Sequence, residues 1–496
     1  MGDCDQSGIR QDNDNGVCNI AVFGRVFYKR HDVVSAMSTC NFDENSGKNM
    51  TKNRLLSKAT SALATVLVFS ALFSLARAQD DSAELNLKEA VSLALAQNPE
   101  LAAQGHELEM VEARLEAARG RRLPRVDAVG GAYYHQHDQR LLPASSNGEP
   151  GAFSDKIIAG ELVVSMPVFA GGRLKQEMTA AQMLRLAADH QLARSRNELV
   201  FNVTSIFYSI LAQRRVLESL AFSREALREH TRRSQEMIAV QKAATVDRLR
   251  IEVRVADLEQ RMVWEKNVMT VQIRVLANLM GLPAGSQQRS PGGTLSPLPE
   301  ATTETAPGFE ELLAARRDYQ SALATVSAQR AAVAAATAGH LPSVTVQGSY
   351  GRRLAVESPD RSDVRDSNEE TGWAGLVVSM PLFAGGQIQA RVREERSRLA
   401  AAQERLRKLA LLIQLEYETA SLNIQSARER LEALGKTSQQ AEESLRIERE
   451  KYELGKGSIT EVLDAQTALL DSQTSICRAL ADYHTAQAQM ALARGE

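Results

Sequence analysis

Two carboxylates lie close together near the C-terminal end of the chain, in a stretch without proline. Glu461 and Asp464 are three residues apart, so a helix would place both on one face. Carboxylates in this arrangement can transfer protons, bind a cation or simply form a solvated helix surface. The residues 214 positions earlier are Asp247 and Arg250. The acidic pair is therefore a feature of the later segment alone.

Other residues that could support chemistry are isolated. His135 and His137 alternate as two metal ligands on one strand face would, but they lie at a predicted hairpin end, which we interpret as a solvated tip. Residues 435–437 (Gly-Lys-Thr) resemble the end of a phosphate-binding loop, but Arg430 stands where the first glycine is required. The common hydrolase, zinc-protease and dithiol patterns do not occur. The sequence therefore predicts neither an enzyme nor a bound metal or other cofactor.

The composition favours long helices. Of the 496 residues, 24% are charged and only 5% are aromatic, which is typical of extended helical proteins. The 59 basic and 61 acidic residues give a formal net charge of −2, so the usual electrostatic argument for nucleic acid is missing. Four cysteines in this length exclude a disulfide-stabilised scaffold. A single long apolar run excludes a membrane protein built from many helices.

That apolar run, at 59–76, has the pattern of an export signal. Basic residues precede it, and Ala76-Arg77-Ala78 supplies the small residues of a cleavage site. We therefore interpret 50–78 as a signal peptide and 1–49 as an over-extended N-terminus. A signal-anchor helix is the alternative, but serine residues within and beside the run disfavour it.

The rest of the chain is a duplication. Residues 162–172 recur at 376–386 with one change, at an offset of 214 residues. A Leu-Pro pair at 123–124 recurs at 341–342, so the loop after it is four residues longer in the first copy. A proline-rich stretch separates the copies. The expected domains are a first repeat at 79–282, a linker at 283–308 and a second repeat at 309–496.

Both repeats predict unusually long helices. No proline occurs between Val168 and Leu282, or from Leu382 to the end of the chain. Mostly apolar residues follow the three-and-four spacing of a coiled coil in the second repeat: Ile424, Ala427, Leu431, Leu434, Ser438, Ala441 and Leu445. The stretch 172–243 has the same register with more polar residues, and as one helix it would span about 105 Å. A helix of that length must form an arm, a fibre or a wall.

Between the helices, each repeat has two segments that alternate between polar and apolar residues, as β-strands do. The alternation fits either a half-buried soluble hairpin or a strand of a membrane barrel. The long helices and the export signal favour the barrel, and four strands cannot close a barrel alone, so several chains would have to share it. Aromatic residues at the two ends of the hairpins would suit two girdles, one at each membrane surface. Tyr133, Tyr134, Tyr350 and Trp373 lie near the loop ends, and Phe169 and Phe383 lie at the opposite ends.

Together these segments resemble the TolC-type outer-membrane efflux channel family over residues 85–496. Residues 85–101 are similar to the family's opening helix, and 451–465 are similar to its segment near the periplasmic tip. The two Ser-Met-Pro-x-Phe-Ala-Gly-Gly segments resemble its strand-to-helix transitions. The resemblance implies a fold that is mainly α with a membrane β-barrel. Three chains would form a 12-stranded β-barrel and a periplasmic barrel of long coiled-coil helices.

The resemblance implies an outer-membrane exit duct of a Gram-negative cell, for passive transport in a tripartite efflux or type I secretion system. The implied partners are two further copies of the chain, outer-membrane lipid, a periplasmic adaptor (membrane fusion) protein and an inner-membrane pump of the RND, ABC or MFS type, without nucleic acid. A periplasmic coiled-coil adaptor or scaffold is the alternative. An adaptor would have lipoyl-like or small β-domain sequence beside one hairpin, whereas this chain has two hairpins.

The resemblance also implies site residues. Glu461 and Asp464 correspond to an acidic periplasmic constriction, where threefold symmetry would bring six carboxylates together. Tyr452, Asp247 and Lys456 correspond to a network that closes the tip. The family pattern has arginine where this chain has Gly457, so either the closure is weaker here or Lys456 supplies the charge. The strand-to-helix transitions correspond to Pro167, Gly171, Gly172, Pro381, Gly385 and Gly386.

Overall fold

The structure is a computed structural model that describes residues 84–141, 153–241, 244–283, 291–295, 308–355 and 368–496. The expected export signal and the residues before it lie outside these ranges. The helices of the described part are α1 (Leu87–Gln97), α2 (Pro99–Gly120), α3 (Arg173–Ala239), α4 (Thr245–Leu279), α5 (Phe309–Ala315), α6 (Arg317–Thr337), α7 (Gln387–Glu453) and α8 (Ile459–Arg494). The strands are β1 (Arg125–Arg140), β2 (Phe153–Ala170), β3 (Ser343–Ala355) and β4 (Asn368–Ser379).

The helices form one layer in which the same arrangement occurs twice. Helices α3 and α7 have 67 residues each, or about 100 Å at 1.5 Å per residue, so the predicted long helices are confirmed. Helices α2 and α4 both pack along α3, and α6 and α8 both pack between α3 and α7. The layer therefore has the order α2 and α4, then α3, then α6 and α8, then α7.

The coiled-coil spacing marks the residues that hold the long hairpins together. Ala427 and Leu431 of α7 are buried against Ala479 and Tyr483 of α8. Towards the far end of the same hairpin, Leu445 joins a larger buried cluster that also contains residues of α3 and α4. Each leucine buried in this way contributes about 1.5–3 kcal/mol, so the two hairpins are joined by apolar packing as well as by the chain.

The proline-rich stretch between the repeats is packed where the structure describes it. The carbonyl oxygen of Leu85 accepts a hydrogen bond from the N–H of Gly292 at 2.9 Å. The carbonyl oxygen of Pro291 accepts one from the Arg214 guanidinium of α3 at 3.2 Å. Leu295 contacts the buried cluster around α1 and α3. Residues 291–295 therefore lie against the helical layer, at the level of α1.

Helix α2 stacks on the end of α4 through a side-chain cap. The Asn98 amide group donates a hydrogen bond to the carbonyl oxygen of Leu279 at 2.8 Å, while its oxygen accepts one from Leu101 N–H at 3.0 Å. Gly281 completes the junction with φ of +71°, and a Cβ there would lie 2.2 Å from the Gln97 carbonyl oxygen. This position requires glycine both for its backbone conformation and for space.

We expect Gly281→Ala to destabilise the chain by about 3 kcal/mol, since it adds a steric clash to the cost of left-handed backbone. The matched control is Gly455→Ala, because Gly455 also has positive φ (+69°) but an added Cβ would meet no atom within 4 Å. The control should cost only about 1 kcal/mol. Thermal unfolding of the purified protein, followed by helical circular dichroism, compares the two. Equal midpoints would show that the close approach at Gly281 does not matter.

The strands form one antiparallel sheet in the order β1-β2-β3-β4. The registers place Leu162 opposite Tyr350, and Val346 opposite both Met166 and Leu376, so these side chains share an apolar face. Glu161, Gln347 and other polar residues lie on the opposite face. In the described part of the chain, β1 and β4 each have one unpaired edge.

The aromatic girdle predicted for the loop ends is only partly supported by the register. Tyr134 and Tyr350 lie on the apolar face, since Tyr350 pairs with Leu162 and Tyr134 alternates with Ala132 and Gly130 along β1. Trp373 pairs with Ser349, and Tyr133 is the neighbour of Tyr134, so both lie on the polar face. The prediction that all four form one girdle is wrong, because neighbouring strand residues point to opposite faces.

No helix in the part of the chain that the structure describes combines the length and apolar character that crossing a membrane requires.

Candidate functional site

The turn between α7 and α8 is closely capped on both sides. The N–H groups of Gly455 and Lys456 donate to the carbonyl oxygens of Tyr452 and Lys451 at 3.0 and 2.8 Å, which closes the C-terminal end of α7. Glu461 then forms a capping box with Ser458: its carboxylate accepts the Ser458 N–H at 2.9 Å, and its own N–H donates to the Ser458 hydroxyl. Glu461, expected at a constriction, thus has a structural role at the start of α8.

The corresponding turn between α3 and α4 keeps one of these backbone bonds, since the Gln241 N–H donates to the Ile238 carbonyl oxygen at 3.0 Å, but it has no side-chain cap at the start of α4. Gln241 occupies the position that corresponds to Gly455 and has φ of +59°, a conformation that costs a non-glycine residue about 1 kcal/mol. Ala244 stands where the second repeat has Ser458, and it provides no side-chain cap. The first-repeat turn is therefore the less stable of the two.

Helices α4 and α8 run side by side in the same direction from these turns, and three of the polar contacts that join them have a common spacing. Arg254 lies 3.3 Å from the Asp464 carboxylate, and Arg250 donates to the Thr460 hydroxyl at 3.3 Å. Further along, Arg261 lies 3.0 Å from Asp471. The partners are always 210 residues apart, so each contact links the first repeat to the second. We call these three contacts the α4–α8 ladder.

The ladder changes the charge expected at the candidate constriction. Asp464 is exposed, as a pore-lining residue would be, but it faces the Arg254 guanidinium of its own chain. Arg250 also lies 3.6 Å from Asp247. Two guanidinium groups thus offset most of the charge of Asp247, Glu461 and Asp464. The sequence analysis did not identify Arg254, although its spacing of four from Arg250, which puts both on one helix face, was an available signal.

The expected closing network is only partly assembled within one chain. Tyr452 is half-buried against the apolar cluster that contains Ile251 and Ile459. Burial, and then the nearby Asp247 carboxylate, raise the pKa of the Tyr452 hydroxyl, so this group remains neutral and able to donate. No hydrogen bond joins Tyr452 to Asp247 within the chain. The Lys456 side chain is exposed and, among the described residues, has no ion-pair partner, so the structure does not bring it into the network.

The two strand-to-helix transitions differ in how the strand ends. Strand β2 continues through Pro167 to Ala170, with a register shift against β3 between Pro167 and Phe169, because proline has no N–H to donate. Strand β4 ends at Ser379, before Pro381. The glycines that follow all have positive φ and precede the first residues of α3 and α7: Gly171, Gly172, Gly385 and Gly386.

The residues that the structure describes contain no group of three or more His, Cys, Asp or Glu side chains able to hold a metal ion. His135 and His137 lie within β1, which extends further along the hairpin than the predicted loop.

The family comparison matches both repeats. The family model described as "Outer membrane efflux protein" matches residues 90–282 and 309–496. Outer membrane protein TolC of Vibrio cholerae is 22% identical over 420 residues, covering 83% of this chain and 90% of the relative. Proteases secretion protein PrtF of Dickeya chrysanthemi is 24% identical over 329 residues, covering 65% of this chain and 69% of the relative.

The fold agrees with this match. The solved CmeC outer membrane channel of Campylobacter jejuni superposes with a TM-score of 0.72 at 17% identity, covering 84% of this chain and 87% of that one. Members of the family are outer-membrane proteins of Gram-negative bacteria that extend into the periplasm, and they are the exit ducts of efflux and type I secretion systems. The match includes both hairpin-bearing repeats, which an adaptor or scaffold would not explain. This chain therefore belongs to the outer membrane efflux protein family.

Proposed function

We propose that three copies of this chain form one continuous duct, with a 12-stranded barrel in the outer membrane and a helical barrel in the periplasm. The observation that carries the proposal is the four-stranded sheet with an apolar face and one unpaired edge on each of β1 and β4. Open edges are not tolerated in lipid, so β4 of one copy would pair with β1 of the next. Channels of this family work as trimers with adaptor and inner-membrane partners.

The α3–α4 and α7–α8 turns would form the periplasmic end of this duct. The α4–α8 ladder holds the two helical hairpins of a chain together beside these turns, through Arg254–Asp464 and Arg250–Thr460. Opening would require the hairpins to separate and these contacts to break. In the trimer, Tyr452 and Asp247 would meet groups of a neighbouring copy, and the Asp464 carboxylates would approach the threefold axis.

The duct would receive its cargo through a periplasmic adaptor protein and an inner-membrane pump of the RND, ABC or MFS type. The weakly capped first-repeat turn, with Gln241 in a left-handed conformation, is the part of the tip that an adaptor could rearrange at lowest cost. The passive duct itself needs no energy-converting site.

The barrel placement predicts opposite outcomes for two adjacent residues of β4. Leu376 lies on the apolar face, opposite Val346, whereas Val377 lies on the polar face, opposite Thr345. Leu376→Arg would place a charge in lipid at a cost of about 2–4 kcal/mol, while Val377→Arg would place it in the water-filled interior. We expect only Leu376→Arg to reduce the amount of trimer extracted from outer membranes, with native mass measurement giving three chains for wild type and Val377→Arg.

Two results would contradict the proposal. One is a folded monomer in the membrane fraction of the wild-type protein. The other is equal tolerance of arginine at Leu376 and Val377, since a soluble hairpin or a two-sided interface has no lipid-facing side.

A further inference from the structure

A cavity of about 800 Å³ lies in the helical layer directly next to the sheet. Helices α2, α3, α6 and α7 of one chain all contribute to it. Its lining combines alanine, leucine and isoleucine side chains with charged residues. The volume is in the range of pockets that bind drug-sized molecules.

The charges around the cavity are predominantly positive. Four arginines line it, Arg114, Arg121, Arg173 and Arg391, against two carboxylates, Glu177 and Glu395. Arginine presents a planar fork of N–H donors that matches the two oxygens of a carboxylate or sulfonate. A chain with near-neutral total charge thus concentrates positive charge at this place.

The two carboxylates of the cavity, Glu177 and Glu395, do not pair with all of the arginine N–H donors that line it. Arg121 and Arg173 share the single carboxylate of Glu177, at 3.2 and 2.9 Å. Arg114 has no hydrogen-bond or ion-pair partner among the residues that the structure describes. Glu395, 3.0 Å from Arg391, also accepts a hydrogen bond from Gln329 at 2.5 Å. The cavity therefore has guanidinium donors available to an entering anion.

The fold does not need these arginines. The positions in the second repeat that correspond to Arg114, Arg121 and Arg173 hold Ala332, Gly339 and Gln387. Those residues build the same junction between a short helix, a strand pair and a long helix. Because the second copy folds without the charges, their presence in the first copy has another cause.

We propose that this cavity binds a soluble amphipathic organic anion: a molecule with a carboxylate or sulfonate head and an apolar body. The head group would accept hydrogen bonds from the guanidinium groups of Arg114 and Arg173, and the apolar body would contact the alanine-rich part of the lining. The site gives the duct a preference for one class of transported compound. It is independent of the gate proposed for the other end of the helices.

The test uses naphthalene-2-sulfonate as the probe and the intact purified protein in neutral detergent, with calorimetry as the readout. The cavity variant is Arg114→Gln with Arg173→Gln. The matched control is Arg119→Gln with Arg122→Gln, which removes the same charge at the end of α2 from residues that do not line the cavity. We expect binding of one probe per chain, weakened at least about tenfold in the cavity variant and less than about twofold in the control.

Two probe analogues test the chemistry. Neutral 2-naphthalenemethanol and cationic 2-naphthylmethylammonium should bind at least about tenfold more weakly than the sulfonate. Equal weakening in the cavity and control variants would overturn the proposal in favour of diffuse charge attraction. Tight binding of the neutral analogue would overturn it in favour of an apolar pocket alone.

A third arm separates a soluble ligand from a lipid head group. The wild-type protein is placed in nanodiscs of phosphatidylcholine, with or without phosphatidylglycerol. Unchanged probe binding supports a site for soluble anions. Loss of probe binding when phosphatidylglycerol is present would overturn the proposal, because it would show that an anionic lipid head group occupies the cavity. Unchanged trimer mass and helical circular dichroism exclude misfolding of the variants.

Discussion

Arg316→Met should destabilise the chain by about 3 kcal/mol, because it leaves the partly buried carboxylates of Asp318 and Glu416 without their main counter-charge. Arg316 is fully buried at the start of α6. Its guanidinium contacts Asp318 at 2.5 Å and Glu416 of α7 at 2.8 Å, and it donates to the Ala493 carbonyl oxygen of α8 at 3.3 Å. One side chain thus joins three helices, at the place where the first repeat uses Asn98.

The matched control is Arg407→Met on α7. Arg407 is 78% exposed and lies 3.9 Å from Glu404, so its loss should cost less than about 0.5 kcal/mol. Adding Asp318→Asn to Arg316→Met should recover part of the stability, since it removes one of the carboxylates that lost its ion-pair partner. Chemical unfolding followed by circular dichroism measures all three variants. Similar midpoints for Arg316→Met and Arg407→Met would show that the buried network is not important for stability.

Acid should weaken the same network. Burial opposes ionisation of the Asp318 carboxyl, but the hydrogen bonds and charge of Arg316 outweigh it and lower the pKa of Asp318 below its ordinary value. A lowered native pKa contributes stability at pH above the unfolded value of about 4, and this contribution is lost as pH falls through the native pKa. The stability difference between wild type and Arg316→Met should therefore shrink below about pH 4.

Arg254→Glu should open the periplasmic end of the proposed duct and raise its single-channel conductance. The exposed pair with Asp464 contributes about 0.2–1 kcal/mol, and reversal replaces this attraction by repulsion of about 1 kcal/mol. Three copies would shift the closed–open equilibrium by about 4–6 kcal/mol, which is several hundredfold or more. The added carboxylates should also make the channel more selective for cations. Planar-bilayer recording of the purified protein measures both effects.

A charge swap distinguishes loss of the Arg254–Asp464 contact from a general effect of the added negative charge. Arg254→Asp combined with Asp464→Arg restores the attraction and should restore low conductance. Arg228→Glu is the matched control, because Arg228 pairs with Glu259 within the α3–α4 hairpin, at 2.8 Å, and does not join the two hairpins. If Arg228→Glu raises conductance as much as Arg254→Glu, or if the swap stays open, the Arg254–Asp464 contact does not hold the tip closed.

Periodicity and duplication were sufficient to predict the elements. Proline-free stretches with three-and-four spacing predicted the long helices, and the glycine pairs that follow the strands mark their starts at Arg173 and Gln387. The alternation in β3 and β4 predicted which residues share a face. These features can be read from the sequence because they depend on neighbours a few positions away, where backbone geometry alone fixes the relation.

Other features depend on how distant segments meet. The sequence determined that Glu461 and Asp464 share a helical turn, but not that Glu461 caps α8 or that Asp464 faces Arg254. It also gave no indication that Arg316 is buried between α6, α7 and α8. Such partners lie far apart in the chain, and the lateral packing of the helical hairpins brings them together. The sequence by itself therefore determined the helices, the strands and their duplication, whereas the tertiary structure alone decided which charges are paired, because a charge has no fixed partner until the helices that carry it are packed.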